Sequence, residues 1–422
     1  MRVEDMVLVS IDDHVVEPAD TFERHLPARH RDRAPTIVRG DDGVERWVYL
    51  GTATGSFGLN AVASWPPEEW GLDPVGFADM RPGAYDVDQR VRDMDANGVL
   101  ASMCFPSFPG FNGMNLARSG ATEPELTAAV VSAYNDWHIH EWSGSHPGRF
   151  IPLAILPLWD ADLMVDEIHR VAAEGCTAVS LPETPYGVGL PTFFTDYWDP
   201  VFTALCDNDI AICMHIGGSF GLITMPDGVP IDHMIMLAPQ LSALTANDLI
   251  VGGVFRRFPD LKVALSEGGI GWIPFYLDRL DRHVDNHRWT GLDIGGGGMT
   301  PTELFRRNFL GCFITDPSSL RLLDRIGEDV VAWECDYPHS DSTWPRSPET
   351  LLSELDRAGI SDAQVDKITW ANASRFFRYD PFAVLTRQQA TVGALRASGA
   401  DVDIAVTPKG EYRKRYEAAG QR

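Results

Sequence analysis

The chain has 422 residues, 44% of them hydrophobic, and carries 60 acidic against 35 basic side chains, a formal net charge of −25. That length buries a large core, as one domain with insertions or as two. The charge argues against nucleic acid or an anionic membrane as partner, since both would repel the protein. No apolar stretch reaches the roughly 18–20 residues of a membrane helix, and no basic segment followed by an apolar core opens the chain. A cytoplasmic location is the resulting expectation. The six cysteines are scattered without a CxxC pair and read as free thiols. In that compartment the Asn372-Ala-Ser374 triplet is not expected to carry a glycan.

Short apolar runs alternate with longer helical patterns along the whole chain, the pattern of βα units around a parallel sheet. In order, strands are expected near 7–13, 99–105, 150–157, 176–181, 209–216, 261–267, 308–314 and 329–335. Helices are expected at 86–97, 123–142, 161–174, 196–207, 238–258, 271–289, 318–326 and 347–358. Ser347 before Pro348 and Glu349 reads as a helix cap, and Gly359 as the stop. Eight repeats predict an α/β fold of the (β/α)8 TIM-barrel type, with chemistry at the C-terminal ends of the strands. An open doubly wound sheet fits less well because no Gly-rich phosphate loop follows the first strand.

The barrel is assigned to residues 1–380, with a Gly-, Pro- and Trp-rich insertion at 27–85 expected to act as a lid. Residues 381–422 form a C-terminal tail, helical from Lys409, expected to be a subunit contact. The lid aromatics Trp47, Phe57, Trp65 and Trp70 read as packing more readily than as a binding surface. Gly295–Gly298 reads as a flexible loop.

Three of the predicted strands deliver metal-binding side chains at the same end. Asp12 and His14 are two apart on the first strand and leave one face, so they can reach one ion. His215 ends the fifth strand and Asp336 the eighth. Two imidazoles and two carboxylates suit Zn²⁺, Mn²⁺ or Fe²⁺ with a position left for water. Singly, each residue also has a structural reading, such as Asp336 capping the turn at Tyr337-Pro338. Gly217-Gly-Ser219-Phe-Gly221 matches a nucleophile elbow, but Pro226 and Pro230 follow where that motif needs a helix. His283 and His287 share a helix face too far from a strand end to join the site.

Ser10-Ile-Asp12-Asp-His14-Val-Val-Glu17-Pro, Met214-His215-Ile-Gly-Gly, Ser266-Glu267-Gly-Gly-Ile-Gly-Trp272 and Glu334-Cys-Asp336-Tyr-Pro-His339-Ser-Asp341 resemble the amidohydrolase-related family, over residues 7–380. That family includes the aminocarboxymuconate-semialdehyde decarboxylase type. The resemblance implies that Asp12, His14, His215 and Asp336 are metal ligands and that Asp336 also moves a proton. Asp12 stands where many amidohydrolases have a histidine, and the fourth strand ends in Ser180-Leu-Pro-Glu183, without a lysine to carbamylate. Glu267 stands where family decarboxylases commonly have a histidine. It is expected to act as a base or as a further ligand, or else to cap the helix near Gly271. Glu17 is a possible additional oxygen donor, and His339 is expected to orient Asp336 or touch substrate.

The implied protein is an enzyme holding one or two divalent ions, zinc first, with manganese or iron as alternatives. Its expected partners are a small-molecule substrate and a second subunit, as a homodimer or a homologous hetero-oligomer. Metal-dependent hydrolysis is the first expected activity. Non-oxidative decarboxylation comes next, then an oxygenase of the isobutyrate-hydroxylase type or its catalytically silent partner subunit.

Overall fold

The eight apolar runs form eight parallel strands. They are β1 (Val9–Val15), β2 (Ala101–Pro106), β3 (Leu153–Ile155), β4 (Ala178–Ser180), β5 (Ala211–His215), β6 (Val263–Ser266), β7 (Phe309–Phe313) and β8 (Val331–Trp333). This computed structural model describes residues 1–54, 58, 60–71, 74–218, 222–223, 225–294 and 297–419. Phe57, the Ser219–Gly221 part of the elbow-like motif and half of the glycine run lie outside them.

Strands β3 to β8 pair in sequence order as one parallel ladder, and β1 pairs with β2. Two seams close the barrel. Between β2 and β3, Ser102 NH donates to Arg149 O (3.0 Å) and Ile151 NH to Ser102 O (3.0 Å). Between β8 and β1, Asp336 NH donates to Asp12 O (2.8 Å) and His14 NH to Tyr337 O (2.7 Å). The fold is the expected TIM barrel.

Both strand faces are buried, which is why the runs read as continuously apolar. Ala211, Cys213, Ala264, Leu310, Cys312 and Ala332 fill the barrel interior. Their neighbours Ile212, Met214, Val263, Leu265, Phe309 and Val331 pack outward against the helices. The thiols are free, and five of the six are buried. Asn372 is buried as well, its amide donating to Glu328 O and Val331 O (both 2.8 Å), which closes it to glycosylation. Among the described residues no helix is long and apolar enough to cross a membrane.

The helices follow the predicted order with local differences. Helix Pro124–Asp136 runs on into a π-helical stretch, Trp137–Ser143, and the segment expected at 238–258 is split into Gln240–Val251 and Val254–Arg257. Ser347 is the first residue of its helix rather than the cap. Asn97 does the capping from another helix, accepting from Ser347 NH (3.1 Å) and donating to its hydroxyl (2.8 Å).

The insertion contains a small antiparallel sheet, Thr36–Arg39, Glu45–Tyr49 and Thr52–Ala53, that the sequence did not announce. Trp47 packs against Phe22 and Phe108, and Trp65 is buried beside Val62 and Tyr412, so both serve as packing. The tail packs on its own chain. Val392 NH donates to Met6 O (2.8 Å), Arg413 pairs with Asp79 (2.6 Å), and Tyr412 is buried against the insertion.

Gly98 tests the tail's anchorage. It ends helix Val87–Asn97 at φ +85, and a Cβ there would lie 2.7 Å from Val392 Cγ1 and 3.1 Å from its Cα. Gly98→Ala therefore combines backbone strain with overpacking and is expected to cost about 2 kcal/mol, read as a lowered melting temperature. An unchanged melting temperature would contradict both the left-handed helix end and the tail's seat against it.

Candidate metal centre

The inward faces of β1, β5, β6 and β8 converge at the C-terminal mouth of the barrel. On β5 the interior series Ala211, Cys213 continues directly to His215. Its Nδ1 hydrogen-bonds the carbonyl of Ile216, which fixes the tautomer and leaves Nε2 facing the centre. On β8 Ala332 faces the interior, and just past the strand's end Glu334 keeps that direction.

On β1 that alternation is broken on purpose. Val7, Val9 and Ile11 face inward, so simple alternation would bring Asp13 inward and turn Asp12 and His14 out. A register shift between Ser10 and Asp13 marks a bulge, and it reverses the parity. Asp12 and His14 enter the barrel. Asp13 stays between β1 and its neighbours, accepting from Tyr337 NH (2.9 Å) and from the hydroxyls of Ser10 (3.3 Å) and Ser102.

Glu267 follows Ser266, an interior position, and would point outward if the strand continued. Its backbone instead turns left-handed at φ +56, and Asp336 does the same at φ +58. Such conformations cost non-glycine residues of order 1–2 kcal/mol and cluster at functional sites.

The donor atoms lie close together. His14 Nε2 is 3.2 Å from His215 Nε2, 3.2 Å from Asp336 Oδ1 and 3.5 Å from Asp12 Oδ1. His215 Nε2 is 3.3 Å from Asp12 Oδ2 and 3.4 Å from Glu267 Oε2. Neighbouring ligands of an ion bound at about 2.0–2.3 Å are separated by about 3–3.7 Å in octahedral or tetrahedral coordination. Both oxygens of Asp12 and Oδ2 of Asp336 are buried without a hydrogen-bond donor among the described residues. Buried carboxylates left this way need a cation or a proton. Asp12, His14 and His215 form one group of donors close enough together for a divalent ion, and His14, Asp336 and His339 a second that shares the His14 ring, with Glu267 beside His215.

His339 stacks on His14 (ring centroids 3.6 Å apart) and brings Nδ1 to 2.9 Å from Asp336 Oδ1. Glu17 is elsewhere: its carboxylate accepts from the backbone NH groups of Ser107 (3.0 Å) and Phe108 (2.9 Å), so it is no donor to the centre. His283, on the helix Trp272–Asn286, and His287, just past its end, stack on each other.

Sequence reasoning passed over three contributors. Glu334 is fully buried and accepts from Glu267 NH (3.0 Å). Its place two residues after Ala332 was the available signal. Phe111 covers both imidazoles, at 4.1 Å from His215 and 4.9 Å from His14. Arg90, fully buried on helix Val87–Asn97, donates to the carbonyl of His14 and to Gly83 O (2.7 Å). A cavity of about 420 Å³ opens above the acidic floor formed by Glu267, Glu334 and Asp336.

A model of the amidohydrolase family matches residues 24–379. The chain belongs to the amidohydrolase family. It is 24% identical over 315 residues to 2-amino-3-carboxymuconate-6-semialdehyde decarboxylase of Dictyostelium discoideum, covering 74% of this chain and 81% of that one. It is 25% identical over 337 residues to gamma-resorcylate decarboxylase of a Polaromonas species, covering 74% and 95%. Among solved structures, an amidohydrolase of Mycobacterium avium subsp. paratuberculosis superposes with a TM-score of 0.69 at 22% identity, covering 88% of this chain and 99% of that one. The 5-carboxyvanillate decarboxylase of Novosphingobium aromaticivorans, solved with bound manganese, does so with a TM-score of 0.59 at 18% identity, covering 90% and 99%. These superpositions agree with the barrel fold. Within the amidohydrolase family the chain is an enzyme whose centre calls for a divalent metal.

The electrostatics give this centre a pH signature. Burial, reinforced by mutual repulsion, holds Asp12, Glu267, Glu334 and Asp336 well above the ordinary carboxylate range. Burial also pushes His215 down to about 3 and His14 well below its usual value, so both rings are neutral and free to bind metal. Between about pH 4 and the raised carboxylate values, the metal-free folded chain binds more protons than the unfolded one. Its stability must therefore fall as pH rises through that window. A bound divalent ion opposes this by displacing the protons. The melting temperature of chelator-treated protein is expected to drop more between about pH 5 and 8 than that of metal-loaded protein. Equal slopes would show that the cluster takes no cation.

Proposed function

We propose that this amidohydrolase-family enzyme is a metal-dependent, non-oxidative decarboxylase of a small carboxylic acid. Asp12, His14, His215, Asp336 and Glu267 hold the ion, and Asp336 with His339 handles the proton. The observation that carries this reading is the pair of donor groups that share His14, one with Asp12 and His215 and one with Asp336 and His339, beside the cavity that Asp336, His339 and Glu267 line, in a chain whose similar curated proteins are named as decarboxylases. Hydrolysis, the first expectation from the sequence, has less support from those relatives.

A bound divalent ion would supply Lewis acidity toward the substrate carboxylate and a neighbouring oxygen. The carbon–carboxylate bond then breaks, carbon dioxide leaves, and the electron pair stays on carbon until a proton is delivered. Asp336 is placed to move that proton: His339 Nδ1 at 2.9 Å fixes the carboxyl group and can relay a replacement. Phe111 and the apolar wall keep water from the developing carbanion. Three carboxylates among five donors make a hard, oxygen-rich set, which favours manganese over zinc.

The test is release of carbon dioxide from a panel of carboxylic acids by protein stripped of metal and reloaded with Mn²⁺ or Zn²⁺. Asp336→Asn should lower the rate by at least about 100-fold while the far-ultraviolet circular dichroism stays the same. A variant that keeps both full metal content and full rate would reject the assignment. Cleavage of esters or amides without carbon dioxide release from any acid would restore the hydrolase reading.

A further inference from the structure

The cavity that receives the substrate is divided by charge. Its floor and rim hold Glu267, Glu334, Asp336 and Asp341, and Asp341 is near enough to raise the carboxyls of both Glu267 and Asp336. Its wall is apolar, built from Phe111, Ile216 and Ile314 beside the strands and from Ile231, Met234 and Ile235 at and within helix Asp232–Leu237. Among the described residues no lysine or arginine lines it. None of the undescribed positions before residue 420 is a lysine or arginine either. The cavity's other polar side chains are Asn60 and Ser340, which hydrogen-bond to each other (2.9 Å), Thr315, and His339, whose Nδ1 is turned to Asp336 Oδ1 (2.9 Å).

A substrate carboxylate has one place to be compensated, at the metal. A second carboxylate on the same molecule would reach an apolar wall or an acidic rim, desolvated and without a counter-charge. A hydrocarbon group in the same position would bury against branched aliphatic side chains. We propose that the substrate carries a single carboxylate on an apolar body, and that the enzyme rejects acids bearing a second anionic group at the far end. This rests on the decarboxylase reading only in taking the substrate to be a carboxylic acid.

Paired probes test it on the whole manganese-loaded protein, with binding followed through the electron paramagnetic resonance of the ion. One pair is 2-hydroxy-5-methylbenzoate and 4-hydroxybenzene-1,3-dicarboxylate, which differ only in methyl or carboxylate at one ring carbon. A second is heptanoate and heptanedioate. The monoacid of each pair is expected to bind at least about 10-fold more tightly. Ile235→Arg, at a half-exposed position on the wall, should narrow that ratio by at least about 10-fold through the diacid. Equal or reversed affinities in the unaltered protein, an unchanged ratio in the variant, or no binding by any probe would overturn the proposal. Tight monoacid binding without carbon dioxide from any acid would keep it and defeat the decarboxylase reading instead.

Discussion

The seam between the last strand and the first is the contact on which the rest of the site depends. Asp336 NH to Asp12 O and His14 NH to Tyr337 O close the barrel, and the same two bonds set the spacing of three candidate ligands. Behind them Cys335 NH donates to Ser10 Oγ (2.8 Å) and Tyr337 NH to the Asp13 carboxylate. Arg90 locks the arrangement from the helix layer, its guanidinium on the His14 carbonyl and lying over the rings of Tyr337 (4.5 Å) and Trp142 (5.2 Å). A buried cation is costly unless compensated, and Asp13, whose charge interacts with it, supplies the compensation. Donors held by backbone hydrogen bonds keep their geometry without the ion, which is the preorganisation a metal centre needs.

Alternation alone would not have assembled this centre. Four of its residues are aimed by three departures from regular strand geometry: the bulge before Asp13, which turns Asp12 and His14 inward, and the left-handed backbones of Glu267 and Asp336. Each departure costs stability locally. The fold tolerates it because the flanking strands are fully buried and over-determine the chain path. The strained residues are the ones whose carboxylates lack hydrogen-bond donors or face the histidines, so strain and electrostatic need fall at the same points.

This explains what was legible in the sequence. Parallel strands covered on both faces are read from their apolar runs, and a His or Asp ending such a run marks the catalytic end of a barrel. So the eight strands, and the meeting of Asp12, His14, His215 and Asp336, could be anticipated. The two-residue spacing of Asp12 and His14 placed them on one face, but a bulge decided which face, and no local pattern announced it. Glu334 was overlooked because a single acid inside Val-Val-Ala-Trp-Glu-Cys looks like a strand end, and only its parity with Ala332 reveals its inward direction. Glu17 misled for the opposite reason. It is close in sequence to His14, yet past the end of β1 it turns to the amides of Ser107 and Phe108. The insertion's small sheet was hidden by short strands and turn-rich composition, and the tail's docking depends on contacts across more than 300 residues.

The acidic floor also constrains the chemistry above it. Four carboxyl groups converge where the neutral imidazoles contribute no charge, and no lysine or arginine lines the cavity among the described residues. On the proposed reading an anionic substrate is then held by direct contact with the ion rather than by a positive field, and long-range attraction of anions into the cavity is weak. Affinity must come from elsewhere, and the apolar wall at the mouth is the available source. The barrel's strands and their seam define the reacting end, while the segment after β5, with Ile231, Met234 and Ile235, governs what the rest of the molecule can be. Loop segments of that kind change more readily than a strained, hydrogen-bonded strand end, so substrate choice in this protein can shift while the metal centre stays the same.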